Sequence, residues 1–445
     1  MCEENSNFPR VLVISNNCFS QTDSNGRTLG NFFKGWDKNR LAQFYIHSEI
    51  PDENICINYF KVTDSEALKS LFSNTNTGMK IDLKYIMKQK EKKTFASSDI
   101  KKRKFEIKRT AMNLFIRDLI WGFNKWKSEK FEKWLREVNP EVIVLQAGDC
   151  KFMIDLAITI ARDRKIPLVV YNSESYYLKE KNYLKKSIGD FIFYPLFKKN
   201  YDKSFEKLMK IANHTIYNTE LLERDYNKKF DSNSSVLMTS SEIIKEFREE
   251  PEGIFTSSYL GNLGLGRDES LIEIATCIGE IDSTLKLDVY GPVNNNEVLN
   301  RLNKCKFIDY KGMVSYQDVL TVINDSNLLV HAENFSNFYR WDLKYGFSTK
   351  IADSLSSSRC FFVYAPEEIA SSKYLRENEL ACVVEKKDKL KNSLEKIILD
   401  KELRKKYIIN ALEYASKNHD EEKNKRKFRK IIESVVKKRD EGITS

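Results

Sequence analysis

The segment Tyr259-Leu-Gly261-Asn-Leu-Gly264-Leu-Gly266-Arg267 places three glycines within six residues, between an apolar run and a helical pattern. Glycine lets the backbone approach a ligand closely, and a helix N-terminus offers N–H groups to a phosphate. Arg267 adds a planar cationic fork that suits a diphosphate. The spacing is neither GxGxxG nor a Walker loop, and glycines that only make tight turns fit the same residues. A second constellation is Gly346-Phe-Ser-Thr349-Lys350-Ile-Ala-Asp353. Ser348 or Thr349 is a good helix cap, which puts Lys350 and Asp353 on one face of the opening turns. A cation there opposes the helix dipole unless it meets an anion, so Lys350 is a phosphate candidate and Asp353 a candidate for ribose hydroxyls. A capping Asp beside a solvated Lys is the plainer alternative.

Other candidates stand at strand ends. Gly291 closes Leu285–Tyr290, and Gly312-Met313-Val314 follows Phe307–Tyr310. His331 ends an apolar run two residues before Glu333. In the first half, Asn25-Gly26-Arg27 follows a polar loop, Asp149 follows Glu141–Leu145 and Glu174 follows Pro167–Tyr171. Each acid also fits a simple strand-end cap.

The elements that must carry these residues alternate. Short β-branched runs at Val11–Ser15, Glu141–Leu145 and Pro167–Tyr171 are separated by helical patterns. The same alternation recurs at Ser258–Leu260, Leu285–Tyr290, Phe307–Tyr310, Leu328–His331 and Cys360–Val363, with helices expected over 270–281, 296–303, 316–323 and 349–356. Alternation of this kind predicts an α/β architecture of two doubly wound parallel-sheet domains. Ligands of such sheets bind at the carboxyl ends of the strands, so two facing domains would bind in their cleft. The polar stretch Met238–Ile254 marks the seam. We expect residues 1–245 to form the first domain, with a basic helical insertion at about 80–137, and residues 246–445 the second, with charged C-terminal helices.

A chain of 445 residues with 41% hydrophobic side chains builds real cores, which excludes a disordered protein. No run is long enough for a spanning helix, and the polar start does not read as a signal peptide, so a cytoplasmic location is expected. The eight cysteines show no CxxC and the four histidines are dispersed, which argues for reduced thiols and against a histidine-rich metal centre. Residues 80–137 hold 18 Lys/Arg and 8 Asp/Glu, an excess of +10 that equals that of the whole chain. Lys101-Lys-Arg-Lys104 stands there with helically spaced Met112, Phe115, Ile116, Leu119 and Phe123, and with Trp121, Trp126 and Trp134. An ordinary helix packed on the sheet ranks first, an anionic membrane surface second and nucleic acid last.

In this order and spacing the chain resembles the GT-B glycosyltransferases, in the large retaining group called family 4 (glycosyl transferases group 1). The resemblance covers most of 255–385 and, more loosely, the N-terminal strands. Tyr259-Leu-Gly261-Asn is similar to the family's opening donor-domain strand and glycine, and Arg267 stands where a basic phosphate ligand often does. Asp288-Val-Tyr290-Gly291 is similar to its strand and following glycine. Gly312-Met313-Val314 resembles the segment against the nucleotide base, and Phe347–Ser358 the helix with the second acid of an E-x7-E motif. The second acid here is Asp353, Tyr345 takes the place of the first, and Asn262 replaces the usual arginine. Glu333 or Asp342 could supply the missing carboxylate from a shifted loop. The family's histidine is absent near Asp149 and Glu174, which could contact the acceptor instead.

The resemblance implies transfer of a sugar from a nucleotide-sugar to a glycan or lipid-linked acceptor in surface polysaccharide assembly. Arg267 and Lys350 would act on the diphosphate. Gly26, Gly261, Gly264, Gly291, Val314, Glu333, Thr349 and Asp353 would bind the donor, with no metal and no cofactor. An epimerase, or an inactive nucleotide- or sugar-binding protein of the same fold, are the competing readings.

Overall fold

A computed structural model describes residues 8–20, 24–47, 49–73, 77–95, 108–293 and 295–444. They divide into two compact units, Met1–Leu237 with Lys425–Ser445, and Met238–Asn424.

The first unit is built on eight strands: β1 (Val11–Ile14), β2 (Leu41–Tyr45), β3 (Asn58–Lys61), β4 (Met79–Ile81), β5 (Val142–Gln146), β6 (Leu168–Asn172), β7 (His214–Tyr217) and β8 (Ser234–Val236). Their order is β4-β3-β2-β1-β5-β6-β7-β8, and every pair is parallel except β3 with β4. Val11-Leu-Val-Ile14 is fully buried at the centre, as a strand covered by helices on both faces must be. The chain leaves β1 toward β2 on one side and returns to β5 on the other. That reversal opens the sheet's carboxyl edge between β1 and β5.

The second unit has six strands: β9 (Ser257–Leu260), β10 (Leu287–Tyr290), β11 (Ile308–Gly312), β12 (Leu328–Ala332), β13 (Cys360–Tyr364) and β14 (Cys382–Val384). All are parallel, in the order β11-β10-β9-β12-β13-β14. Its reversal lies between β9 and β12.

The domain boundaries differ from the sequence expectation of 1–245 and 246–445. The second unit begins at Met238 because its first residues are tied to its last ones. Asn424 Nδ2 donates to the Met238 carbonyl at 2.8 Å, and Ser241 N to the His419 carbonyl at 3.0 Å. His419 is buried, with Nδ1 2.7 Å from the Thr239 carbonyl and Nε2 2.7 Å from the Tyr374 hydroxyl, and burial pushes its pKa down to about 4. The helix Glu421–Thr444 then returns to the first unit, where Phe428, Ile432 and Val435 enter the core. Phe428 stacks on Phe32 at 5.1 Å. The sequence expectation places this segment in the second domain, whereas its apolar side chains pack in the first.

The basic stretch resolves into parts. Lys101–Lys104 lie outside the described residues. The tryptophans look inward rather than toward a membrane: Trp121 stacks on Phe152 at 4.1 Å, Trp126 contacts Phe44, and Trp134 contacts Phe60. All three are at most 2% exposed. Burying such rings on a sheet gains far more than leaving them in water. Among the described residues no helix is long and apolar enough to cross a membrane.

Beside these rings Arg117 donates to Asp64 at 2.7 Å and to the Cys150 thiol at 3.0 Å. Asp118 has a buried Oδ2 without a hydrogen-bond partner. Burial pushes its carboxyl up to about 8, against the pull of Arg117 and Lys151. Its native-state pKa lies above the unfolded one, so the folded chain binds more protons and stability falls as pH rises between about 4 and about 8. Denaturant midpoints taken from pH 6 to pH 9 should show Asp118→Asn gaining about 1 kcal/mol or more over the native chain at the alkaline end. Parallel curves for the two proteins would refute the protonated carboxyl.

Candidate functional site

At the reversal of the second sheet, β9 runs into Gly261-Asn-Leu-Gly264-Leu-Gly266, and the helix Arg267–Ile281 starts from it. Asn262 Oδ1 accepts from Gly264 N at 2.7 Å and closes the first turn. Leu265 and Gly266 both take positive φ, +60° and +71°, which turns the chain into the helix. Gly266 is required there: a Cβ would stand 2.5 Å from Asn334 Nδ2 and 2.7 Å from the Tyr339 ring. Gly266 also leaves the helix without a capping side chain.

Arg267, the first residue of that helix, is held in a fork. Its Nε and Nη2 donate to the two oxygens of Glu333 at 2.8 and 2.9 Å. Its Nη1 reaches the Gly264 carbonyl at 3.3 Å. Glu333 follows β12, and its own backbone is anchored by the Tyr364 carbonyl at 3.0 Å and by the Ser270 hydroxyl at 2.9 Å. His331 Nε2 stands 3.4 Å from Glu333 Oε1. Burial pushes the Glu333 carboxyl up, but His331 and Arg267 outweigh it and hold it below its ordinary value. A buried carboxylate thus aims a guanidinium at the carboxyl edge. Glu333, which with Asp342 is a candidate for the first carboxylate, accepts from Arg267 at both of its oxygens.

Gly291 abuts this loop. It has φ +149°, its N–H donates to the Gly312 carbonyl at 2.8 Å, and Gly261 N donates to the Tyr290 carbonyl at 2.9 Å. The ends of β9, β10 and β11 are therefore cross-tied by glycines. Val314 is half-buried just beyond β11.

The helix Thr349–Ser356 has the expected bounds. Ser348 caps it, and Lys350 is exposed on its first turn while Thr349 is half-buried. Asp353 is turned toward the start of the unit, where its Oδ1 accepts from the Ser241 hydroxyl at 2.6 Å.

In the first unit, Asp149 follows β5 and pairs with the guanidinium of Arg109. That guanidinium lies 5.9 Å over the Tyr176 ring, and Lys179 stands 4.7 Å over Tyr183. Glu174 joins them electrostatically. Burial raises its pKa, opposed by Lys179 and Arg109 and assisted by Asp149. The sequence had named Asp149 and Glu174 but not Arg109, Tyr176, Lys179 or Tyr183. Arg109 lies in the basic run, 40 residues from Asp149. Gly26 stands at the start of the helix Ser24–Phe33, where a Cβ would be 2.3 Å from the Cys18 carbonyl just after β1. It serves a close backbone approach in the first unit.

These two edges belong to a known architecture. The structure of HepE from Anabaena in complex with UDP and glucose covers 96% of this chain and 100% of its own at a TM-score of 0.59 and 9% identity. Sucrose-phosphate synthase from Thermosynechococcus elongatus matches with TM-score 0.60, 10% identity and coverage of 96% and 98%. A glycosyltransferase from Rickettsia africae matches with TM-score 0.55, 11% identity and coverage of 97% and 100%. No family model and no curated protein matches the sequence. The chain therefore has the fold of the GT-B glycosyltransferases, two parallel-sheet domains in one chain.

Proposed function

We propose that this chain is a glycosyltransferase that moves a hexosyl unit from a nucleotide-sugar to a glycan or lipid-linked saccharide, with retention at the anomeric carbon and without a divalent metal. The role is surface polysaccharide assembly at the cytoplasmic side of a membrane. The observation that carries this reading is the guanidinium of Arg267, fixed by a buried carboxylate at the reversal point of the second sheet. Ligands of doubly wound sheets bind at that point. HepE, whose fold this chain shares, forms a complex with UDP and glucose, and a nucleoside diphosphate is the group that such a cation suits.

In transfer, the bond from the anomeric carbon to the diphosphate breaks, negative charge grows on the leaving phosphate, and the acceptor hydroxyl oxygen bonds to that carbon on the same face, as its proton passes to the leaving phosphate. Arg267, Lys350 and the N–H groups that open their helices stabilise that charge, with Thr349 beside them. Glu333 acts by positioning Arg267. Gly261, Gly264 and Gly291 let the backbone come close to the donor, Val314 lies against the base, and Asp353 takes ribose hydroxyls. Asp149 and Glu174 contact acceptor hydroxyls.

A binding protein without turnover is the second reading, favoured by Tyr345 at the position of the family's first acid. A panel of radiolabelled nucleotide-sugars with saccharide acceptors, run in the presence of a chelator, separates the two. Label transferred to acceptor is the expected result. Nucleotide binding without transfer from any donor would establish the second reading, and activity that returned only on adding Mn²⁺ would refute metal independence.

A further inference from the structure

The exposed apolar surface of the first unit is unevenly placed. Of thirteen large apolar side chains exposed among its described residues, eight belong to 111–123 and 188–196. On the helix Ala111–Gly122 and its cap, Met112, Ile116, Leu119 and Phe123 recur at helical spacing and form one stripe. The helix's other side is buried through Ala111, Leu114 and Trp121. Next to it, Ile188 is 98% and Phe191 82% exposed at the start of the helix Asp190–Ile211. The two helices share a small core of Ala111, Leu114, Leu184 and Phe197, with Phe115 against Phe193 at 5.9 Å.

Charge gives this face a partner. The charge exposed in 108–125 and 180–199 is mostly cationic, with Lys108, Lys125, Lys181, Lys185, Lys186 and Lys199 against Glu180. Of the acids in these segments Asp118 is half-buried, while Asp190 stays an accessible carboxylate, its pKa lowered by hydrogen bonds from Ser187 and Asn182. Solvated helices ordinarily mix both signs evenly, and an apolar stripe with a strong excess of cations beside it matches the interface of an anionic bilayer.

We propose that this face docks on an anionic lipid bilayer, with the apolar stripe entering the headgroup boundary and the lysines meeting lipid phosphates. The surface narrows the membrane reading of the basic stretch to Met112, Ile116, Leu119 and Phe123, which are exposed, since the tryptophans of that stretch are buried. It also adjoins the candidate acceptor residues. Arg109, which holds Asp149, directly precedes this helix, and its carbonyl accepts from Lys185 N at 2.9 Å. A docked chain would offer Asp149 and Glu174 to a lipid-borne acceptor. That extension rests on the acceptor reading above, whereas docking itself does not.

Co-sedimentation of the full chain with vesicles tests docking without any turnover. The vesicles are phosphatidylcholine alone, or with about one-third phosphatidylglycerol, at low and high salt. The native chain should partition at least tenfold better onto the anionic vesicles, with the gain shrinking as salt screens it beyond about 10 Å. Ile116→Ser with Phe123→Ser should lower partitioning at least about tenfold, since each side chain loses its apolar burial. Both are exposed, so a folded variant is expected, checked by its circular dichroism. Leu399→Ser, at a 72% exposed residue of the second unit, should behave as native. Failure of the native chain to bind, or equal binding by the double variant, would overturn the proposal. A concentration-dependent dimer abolished by the same double variant, with no vesicle binding, would instead assign the face to a second copy. Loss of glycosyl transfer in any assay would leave the docking result untouched.

Discussion

Arg267→Ala should lower affinity for a nucleoside diphosphate about 30- to 150-fold by calorimetry, a loss of about 2–3 kcal/mol, the range for charge-assisted hydrogen bonds. The same change strands Glu333, whose side chain is only 7% exposed, with His331 as its remaining partner. Removing one member of a buried pair leaves an uncompensated charge, so the second unit should also lose about 3 kcal/mol of stability. Arg267→Lys keeps the charge but not the two-pronged fit to Glu333 and should fall between. Lys350→Ala provides the contrast, because its side chain is exposed. Nucleotide affinity should drop about tenfold or more while stability stays within about 0.5 kcal/mol. Unchanged affinity in both alanine variants would remove these two residues from the diphosphate site. A stable Arg267→Ala with weak nucleotide binding would separate the ligand role from the role of partner to Glu333.

Gly291→Ala should be the most damaging single methyl group in the second unit. Its Cβ would fall 1.7 Å from the Gly261 carbonyl oxygen, and no rotamer relieves a clash with backbone. The ends of β9 and β10 would have to part, breaking the cross-ties that hold the glycine loop beside Arg267. A cost of about 3 kcal/mol or more in the unit's unfolding transition is expected, with nucleotide binding lost as well. Gly312→Ala is the control. It shares a positive φ, +76°, but has no atom within 4 Å of the added carbon, so about 1 kcal/mol is expected. Equal midpoints for the two variants would mean that the strand ends separate easily, contrary to the packing described.

Much of this was readable from residue order. Strands that are uniformly apolar announced themselves: Val11–Ile14, Leu328–Ala332 and Cys360–Tyr364 lie within a residue or so of their expected bounds. β2 and β7 did not, since each carries polar residues inward. Gln43 is fully buried in β2, and its amide accepts from Phe19 N at 2.9 Å and donates to the Ser15 hydroxyl at 2.7 Å. A polar side chain so satisfied reads as surface in one dimension. β7 likewise begins with polar residues that are buried, His214 and Thr215, the first with Nε2 2.9 Å from the Ser235 hydroxyl. At the site, the glycines and Arg267 were legible because a tight loop before a helix has a local signature. The grip of Glu333 on Arg267 was not, because 66 residues separate them and only the parallel pairing of β9 with β12 brings their strands together. Arg109 and Tyr176 escaped likewise: a lone arginine in a basic run looks like any other until the fold sets a carboxylate beside it.

The return of the helix Glu421–Thr444 to the first unit has a consequence for biosynthesis. On the ribosome the chain emerges from the N-terminus, and the eight strands of the first sheet are all made before residue 238. Yet Phe32, Phe33, Trp36 and Tyr171 share their core with Phe428, Ile432 and Val435, which are polymerised only after the whole second unit. The first unit must wait, with an apolar gap where these side chains belong, while nearly two hundred later residues are added. The second unit has no such debt, since its strands and closing contacts lie within 238–424. Folding is thus completed in the reverse of the order in which it starts, and during that interval the unfilled groove on the first sheet is a natural client surface for chaperones.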